Sequence, residues 1–521
     1  MIRRSQCIAL ASFIVALALT ASLQAATFDL STATIADINA AFDQGALNSE
    51  KLVQLYHARI EAYDKQGPKL NTVITLNPNA LVEAKALDRE RQTKGARSAL
   101  HGVPIVVKDL LDVAGLPTTA GFKPFGAPVP TRDSAVVARL KQAGAIILAK
   151  VSTTNWFGNG FDETHPIGAT LNPYNVAHTP GGSSNGTGVS MAAWFAAAGI
   201  GTDTGGSVQI PSAHNSVVGM VATQGLVSRS GIVPRGATQD RAGPMGRNVY
   251  DIAVMLTAIA GWDAEDLMTS RGVGHLPTTE WPAIVAASNL KGRRIGVLRE
   301  MVRRGPEHAE GVAILERAIE DMRTAGAYVV DPVLTGVDLK TQATSAVGRT
   351  AEYEKLHIQN AYLAHLGAAA PFASIQEMIE QVGREKFAPA MIAALTLPAP
   401  ADSEDYLARQ RSRVMLNALI NDTMERFDLD AVVLPFSTTP PPAVNGRGFG
   451  GGNSLSSNNN LPAVIVPGGY TKDNLPIGIQ FIGRNFDDLT LLQVAYGYEQ
   501  ASLRRKPPAI APPLPGERFE Y

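Results

Sequence analysis

Between residues 49 and 64, Leu52, Leu55, Tyr56, Ile60 and Tyr63 recur at helical spacing with polar residues between them. The spacing predicts an amphipathic helix, with Ser49 placed to cap it. Residues 81–92 predict a second helix with a charged face, residues 133–144 a third, and residues 189–198 an apolar one. Short apolar runs without that period read as buried strands. They cover residues 103–107, ending at Lys108, then 145–149, 294–298 and 431–434. Two more, 463–466 and 477–482, are separated by a Gly/Asp/Asn turn. Strands alternating with helices predict an α/β layered fold. Residues 446–460 are rich in Gly, Ser and Asn and long for a loop inside such a fold, which marks them as mobile or functional.

Composition narrows this reading. The chain has 521 residues, 45% of them hydrophobic and 18% charged, with a formal net charge of −1. Length alone suggests about two to four domains, but no linker interrupts the interior. No Lys/Arg-rich run offers a nucleic-acid surface. The N-terminus begins with Arg3 and Arg4, continues with an apolar run from Cys7 to Leu19, and ends in small residues up to Ala25 and Ala26. That is the pattern of a secretory signal peptide over residues 1–25, predicting a secreted or periplasmic protein over residues 26–521. The apolar run falls short of the length that spans a bilayer, which argues against a retained anchor. The single cysteine, Cys7, lies inside the signal. The mature chain therefore has no thiol nucleophile, disulfide or zinc–thiolate site. No His/carboxylate cluster has metal-ligand spacing, and no cofactor is expected.

Candidate chemistry concentrates in two glycine- and serine-rich loops. One is Gly181-Gly182-Ser183-Ser184-Asn185-Gly186; the other is Gly201-Thr202-Asp203-Thr204-Gly205-Gly206-Ser207. Each sets a serine where the backbone carries little bulk, which suits a nucleophile beside bare N–H donors. Lys108 ends an apolar strand, where burial disfavours the ammonium, so it can serve as a base; a salt bridge to Asp109 is the structural alternative. Gly182 to Gly186 also fits G-x-S-x-G, the elbow of α/β-hydrolases, with Ser184 as nucleophile and His214, His275 or His308 downstream. The polar, proline-broken stretch ahead of it is unlike the buried strand an elbow follows. Ser288 and Lys291 match S-x-x-K in a setting that reads as surface. Glycine-rich N–H groups can also hold an anion without catalysis. His214 reads more readily as a packed residue than a catalytic one. Trp156, Phe157 and Phe161 suit an acyl pocket or the core equally.

Residues 181–211, with Lys108 upstream, resemble the amidase signature family. The likeness continues through Thr118-Thr119-Ala120-Gly121, Asn172-Pro173-Tyr174, residues 228–234 and residues 460–483, and covers most of residues 30–510. The resemblance implies one amidase signature domain over residues 26–521, built on a large mixed sheet with helices on both faces. It implies a Ser–cis-Ser–Lys triad in which Ser207 is the nucleophile, Ser183 follows a cis peptide bond and relays the proton, and Lys108 is the base. The N–H groups of Thr204, Gly205, Gly206 and Ser207 match the oxyanion hole. The expected partner is a small-molecule amide, and export argues against a role on cytoplasmic tRNA. Asn185, Gln209, Asn155 and the pair Ala222-Thr223 depart from the family pattern. Asp203, which an arginine often faces, needs another partner here.

Overall fold

The computed structural model describes residues 26–158, 160–343, 350–444 and 452–521. The signal-peptide reading of residues 1–25 lies outside them. Thirteen strands are named in chain order: β1 (Thr27–Asp29), β2 (Val73–Leu76), β3 (Pro104–Lys108), β4 (Ile146–Val151), β5 (Ala198–Asp203), β6 (Val218–Val221), β7 (Arg241–Gly246), β8 (Arg294–Val297), β9 (Tyr328–Val330), β10 (Ala431–Pro435), β11 (Ala463–Tyr470), β12 (Pro476–Ile482) and β13 (Arg518–Glu520). Eleven of these form one mixed sheet in the order β2-β4-β3-β5-β7-β6-β11-β12-β10-β8-β9. β3 runs parallel to both β4 and β5, whereas β5–β7 and β11–β12 are antiparallel. Helices pack against the sheet, among them Asn185–Ala192, Ala309–Thr324 and Asp488–Ser502. The apolar strands predicted from sequence all fall in this sheet. β3, β4 and β5 are buried along their whole length, which is why β3 and β4 read as continuous apolar runs and not alternating ones.

Three local readings are corrected. The first helix runs Ser49–Arg59, and its cap is Asn48, whose side chain accepts from Lys51 N at 2.8 Å. Ser49 sits inside the first turn, where its N–H donates to Asp88. Beyond Arg59 the chain winds wider, as a π-helical segment over Ile60–Lys65. The helix expected over 189–198 instead spans Asn185–Ala192 and is followed by β5. Its glycines read as loop because their cause is packing: a Cβ at Gly186 would lie 2.3 Å from Ser152 N, and one at Gly199 of β5 would lie 2.7 Å from Thr187. The part of 446–460 within the described residues is folded, with a short helix over Leu455–Asn459 and residues 455–460 buried. Among the described residues no helix is long and apolar enough to cross a membrane.

The two ends of the described chain meet. β1 and β13 pair antiparallel, and Tyr521 N donates to Ala26 O at 2.8 Å.

Candidate active site

β3 and β5 are parallel neighbours with Val107 opposite Ile200, so their carboxyl ends bring Lys108 beside Thr202. Open α/β sheets place ligands at this edge. Lys108 is fully buried, with Nζ 2.6 Å from Ser183 Oγ and 2.8 Å from Thr202 Oγ1. Burial pushes its amine well below the usual lysine range, and the carboxylates of Asp203 and Asp240 offset this only in part. Its Nζ also lies 5.3 Å from the centre of the Trp156 ring. Asp109 does not hold it. That carboxylate pairs with Lys150 at 3.0 Å and accepts from Thr119 N at 3.0 Å.

Ser183 sits on the loop leading into helix Asn185–Ala192, and the Gly182–Ser183 peptide bond is cis. Gly181 takes φ +79°, and a Cβ there would meet Ile210 at 2.7 Å, so this position needs glycine. Ser184 N donates to Ser207 O at 3.2 Å, which ties the two serine loops together. Ser207 is half-buried in the turn between β5 and the short helix Gln209–His214.

Asp203 shapes that turn. Its carboxylate accepts from Gly206 N at 2.9 Å, Val208 N at 3.0 Å and Gln209 Nε2 at 3.2 Å. The partner Asp203 requires is thus Gln209 itself, the residue standing in the arginine position. Gln209 is held in turn by Ser457, to which it donates at 2.9 Å, and by Gln480, from which it accepts at 2.5 Å. Engagement with Asp203 takes the Gly206 N–H out of the predicted donor set. The N–H groups of Thr204, Gly205 and Ser207 have no hydrogen-bond acceptor among the described residues. Thr204 is fixed from its other side: its hydroxyl donates to Asp240 at 2.5 Å, and its carbonyl accepts from Gln239 at 3.2 Å. Sequence reasoning does not single out Thr202, Gln239 or Asp240. Only the proximity of Thr202 to Asp203 could have flagged any of them.

The competing motifs fall elsewhere. Ser184 is fully buried, and its hydroxyl donates to Thr202 O and accepts from Thr202 N, both at 3.1 Å. His214 is buried and pushed down to about 3 by desolvation, so it is neutral at working pH. His275 stacks on Phe486, and His308 meets Thr438 Oγ1 at 2.8 Å. Ser288 donates to Ile284 O within its own helix end. Trp156 and Phe157 are core residues, and Phe161 packs edge-on to His165. Of the other departures, Asn185 donates to Ser152 and Thr170, Asn155 to Thr164, and Thr223 to Asp488. Each is engaged without touching Lys108, Ser183 or Ser207, although Asn185 Oδ1 has no donor among the described residues.

Beside the site, a cavity of about 510 Å³ is lined by Arg229, Ile232, Pro234, Asp240, Tyr362 and His365, among others. A smaller void shares Pro234 and Asp240 with it and reaches Trp156, Thr202 and Thr204.

The family model described as Amidase matches residues 51–492. A probable amidase of Arabidopsis thaliana is 33% identical, over 92% of each chain. A glutamyl-tRNA(Gln) amidotransferase subunit of Geobacter metallireducens is also 33% identical, over 91% of this chain and 98% of the other. The X-ray structure of native peptide amidase from Stenotrophomonas maltophilia superposes with a TM-score of 0.82 at 34% identity, over 92% of this chain and 99% of that one. Because these likenesses run through both serine loops and the Lys108 strand, the chain belongs to the amidase family of hydrolases that act on carbon–nitrogen bonds.

Proposed function

We propose that this protein hydrolyses a small carboxamide through an acyl-enzyme on Ser207, with Ser183 as proton relay and Lys108 as base. The carrying observation is the buried Lys108 amine, 2.6 Å from Ser183 Oγ with its proton affinity lowered by burial. A serine hydroxyl is a weak nucleophile until a base takes its proton. Neutral Lys108 accepts a proton from Ser183, which takes one from Ser207 as Ser207 attacks the carbonyl. The oxyanion develops against the N–H groups of Thr204, Gly205 and Ser207, on a turn already fixed by Asp203 and Asp240. Ser183 then returns the proton to the departing amine or ammonia. Water deacylates Ser207 by the same relay in reverse. Esters carry better leaving groups and suit the same machinery.

Likeness to a peptide amidase supports a free-standing enzyme on small amides. A signal peptide over residues 1–25 would place it outside the cytoplasm, away from the tRNA-dependent work named for the amidotransferase relatives. N-terminal sequencing of the exported chain checks that placement, with Ala26 or Thr27 expected first. The mechanism is tested by mapping the adduct of a small serine-reactive phosphonate. A single adduct on Ser207, lost in Ser207→Ala and suppressed in Lys108→Ala, is expected. An adduct on Ser184 would replace this reading with the α/β-hydrolase one.

A further inference from the structure

Far along the chain from the catalytic loops, a second cavity of about 240 Å³ opens between the N-terminal segment and two helices, Val249–Ile259 and Asp488–Ser502. Its lining includes Thr32, Arg247, Asn248, Arg504 and Arg505. Arg504 is answered by Asp321 at 2.5 Å. The other two arginines are not: among the described residues neither Arg247 nor Arg505 forms an ion pair. Arg247 is 4% exposed and donates to Ala196 O at 2.8 Å and Ala33 O at 3.0 Å, leaving its Nε without an acceptor. Arg505 reaches only Ser31 O, at 3.4 Å, and its Nε and Nη2 find no acceptor among the described residues.

Burial holds Arg505 below the usual arginine range, and repulsion from Arg247 adds to this while Tyr174, Tyr470 and Glu499 oppose it. The buried Asp251 carboxyl feels Arg247 but is engaged by Ile35 N at 2.8 Å and Asn248 Nδ2 at 2.7 Å, and the carboxyl in the cavity wall does little for Arg505. Glu499 is turned onto Val249 N, at 3.0 and 3.2 Å, and burial pushes it up to about 8, so it is largely neutral at pH 7. The positive end of helix Val249–Ile259 adds to the same field. Burying charge with an incomplete counter-charge is expensive. Paired guanidinium forks with unused N–H groups match the oxygens of a tetrahedral anion.

We propose that this cavity binds a small tetrahedral oxyanion, phosphate or sulfate, between Arg247 and Arg505, and that the bound anion fastens the N-terminal segment to the end of helix Asp488–Ser502. A ligand held only by the folded state raises stability with its concentration. The test titrates inorganic phosphate, and separately sulfate, into the mature protein at constant ionic strength balanced with chloride. Thermal unfolding and calorimetric binding are followed together. A saturable rise in the unfolding midpoint is expected, with affinity falling at least about tenfold in Arg505→Gln while amidase activity is retained. Gln500→Glu sets a negative charge at the exposed rim without removing a donor, and is expected to weaken binding as well. It decides the matter should Arg505→Gln fail to fold. A midpoint that follows ionic strength alone, or equal phosphate affinity in wild type and folded variants, overturns the proposal.

Discussion

Lys108 works against folding at neutral pH. A lysine in the unfolded chain titrates near ~10.4, whereas burial holds the folded group well below that. Between the two values the unfolded chain binds a proton that the folded protein does not. The contribution of this residue to stability therefore rises with pH across that window. In Lys108→Met the unfolding free energy should accordingly change less steeply between pH 7 and pH 10, as read by urea melts. The same proton governs catalysis in the opposite experiment. The proposed mechanism needs the free amine, so Ser207 acylation should rise with pH as one ionisation and then level off; a maximum below about pH 5 would exclude the lysine as base. Lys108→Met should lower the rate by about 10²–10⁴-fold. Gln209 is the second decisive residue. Gln209→Leu strips one donor from Asp203 and leaves the amide of Gln480 and the hydroxyl of Ser457 without their partner. A loss of about 1–3 kcal/mol in stability is expected, from unsatisfied buried groups. A fall in kcat larger than any rise in KM should accompany it, because Asp203 shapes the turn under Ser207. Unchanged kcat would show that two backbone donors to Asp203 suffice.

The helix Asn185–Ala192 and β5 are the least legible elements, and for one physical reason. Both are glycine-rich, and propensity reads glycine as a break. Here it records contact: Gly186 lies against the Ser152 backbone, Gly188 against Pro211, and Gly201 against Ser184. Such proximity depends on partners distant in sequence, so no local pattern reveals it. Strands with branched apolar residues, such as β3, β4 and β12, are legible because burial on both faces leaves a continuous apolar run. The site divides the same way. Lys108, Ser183 and Ser207 are readable from motif and spacing. Thr202 and Asp240 emerge only when β3 and β5 stand side by side and the 235–240 turn folds over Thr204. Gly186→Ala tests the contact reading. Its Cβ would meet backbone atoms of Ser152 at 2.3 and 2.6 Å, which no side-chain rotation relieves. Overpacking of this kind costs about 1–3 kcal/mol, and because the helix carries Ser183 at its approach, activity per folded molecule should fall too. An alanine variant with wild-type stability and rate would mean that helix and β4 can separate freely.

At the scale of the whole molecule, the sheet carries the proposed catalytic edge while the two ends of the described chain are locked together behind the helix that follows Ser183. Arg59, fully buried on the first long helix, reaches Glu517 at 2.7 Å. It also donates to the carbonyls of Ala193 at 3.1 Å, Ala511 at 2.9 Å and Pro512 at 3.2 Å, and its guanidinium lies 3.9 Å from the centre of the Trp194 ring. One cation thus joins the N-terminal helices, the turn before β5 and the C-terminal tail. Removing one partner of a buried pair leaves a bare charge and costs about 3–5 kcal/mol. Glu517→Leu should lose that much in urea unfolding while the folded fraction keeps its kcat, since no catalytic group touches the pair. Replacing both charges distinguishes an ion pair from a clamp. Were the attraction to Glu517 the only role of Arg59, the double variant Arg59→Met/Glu517→Leu would regain most of the lost stability, as apolar replacements of buried pairs often do. In this protein the same change strands the carbonyls of Ala193 and Ala511, each worth about 1–3 kcal/mol when left unpaired, whereas Pro512 O keeps the Tyr63 hydroxyl at 2.8 Å. The double variant should therefore remain at least as unstable as Glu517→Leu, and recovery to within about 1 kcal/mol of wild type would show that those carbonyls find other donors.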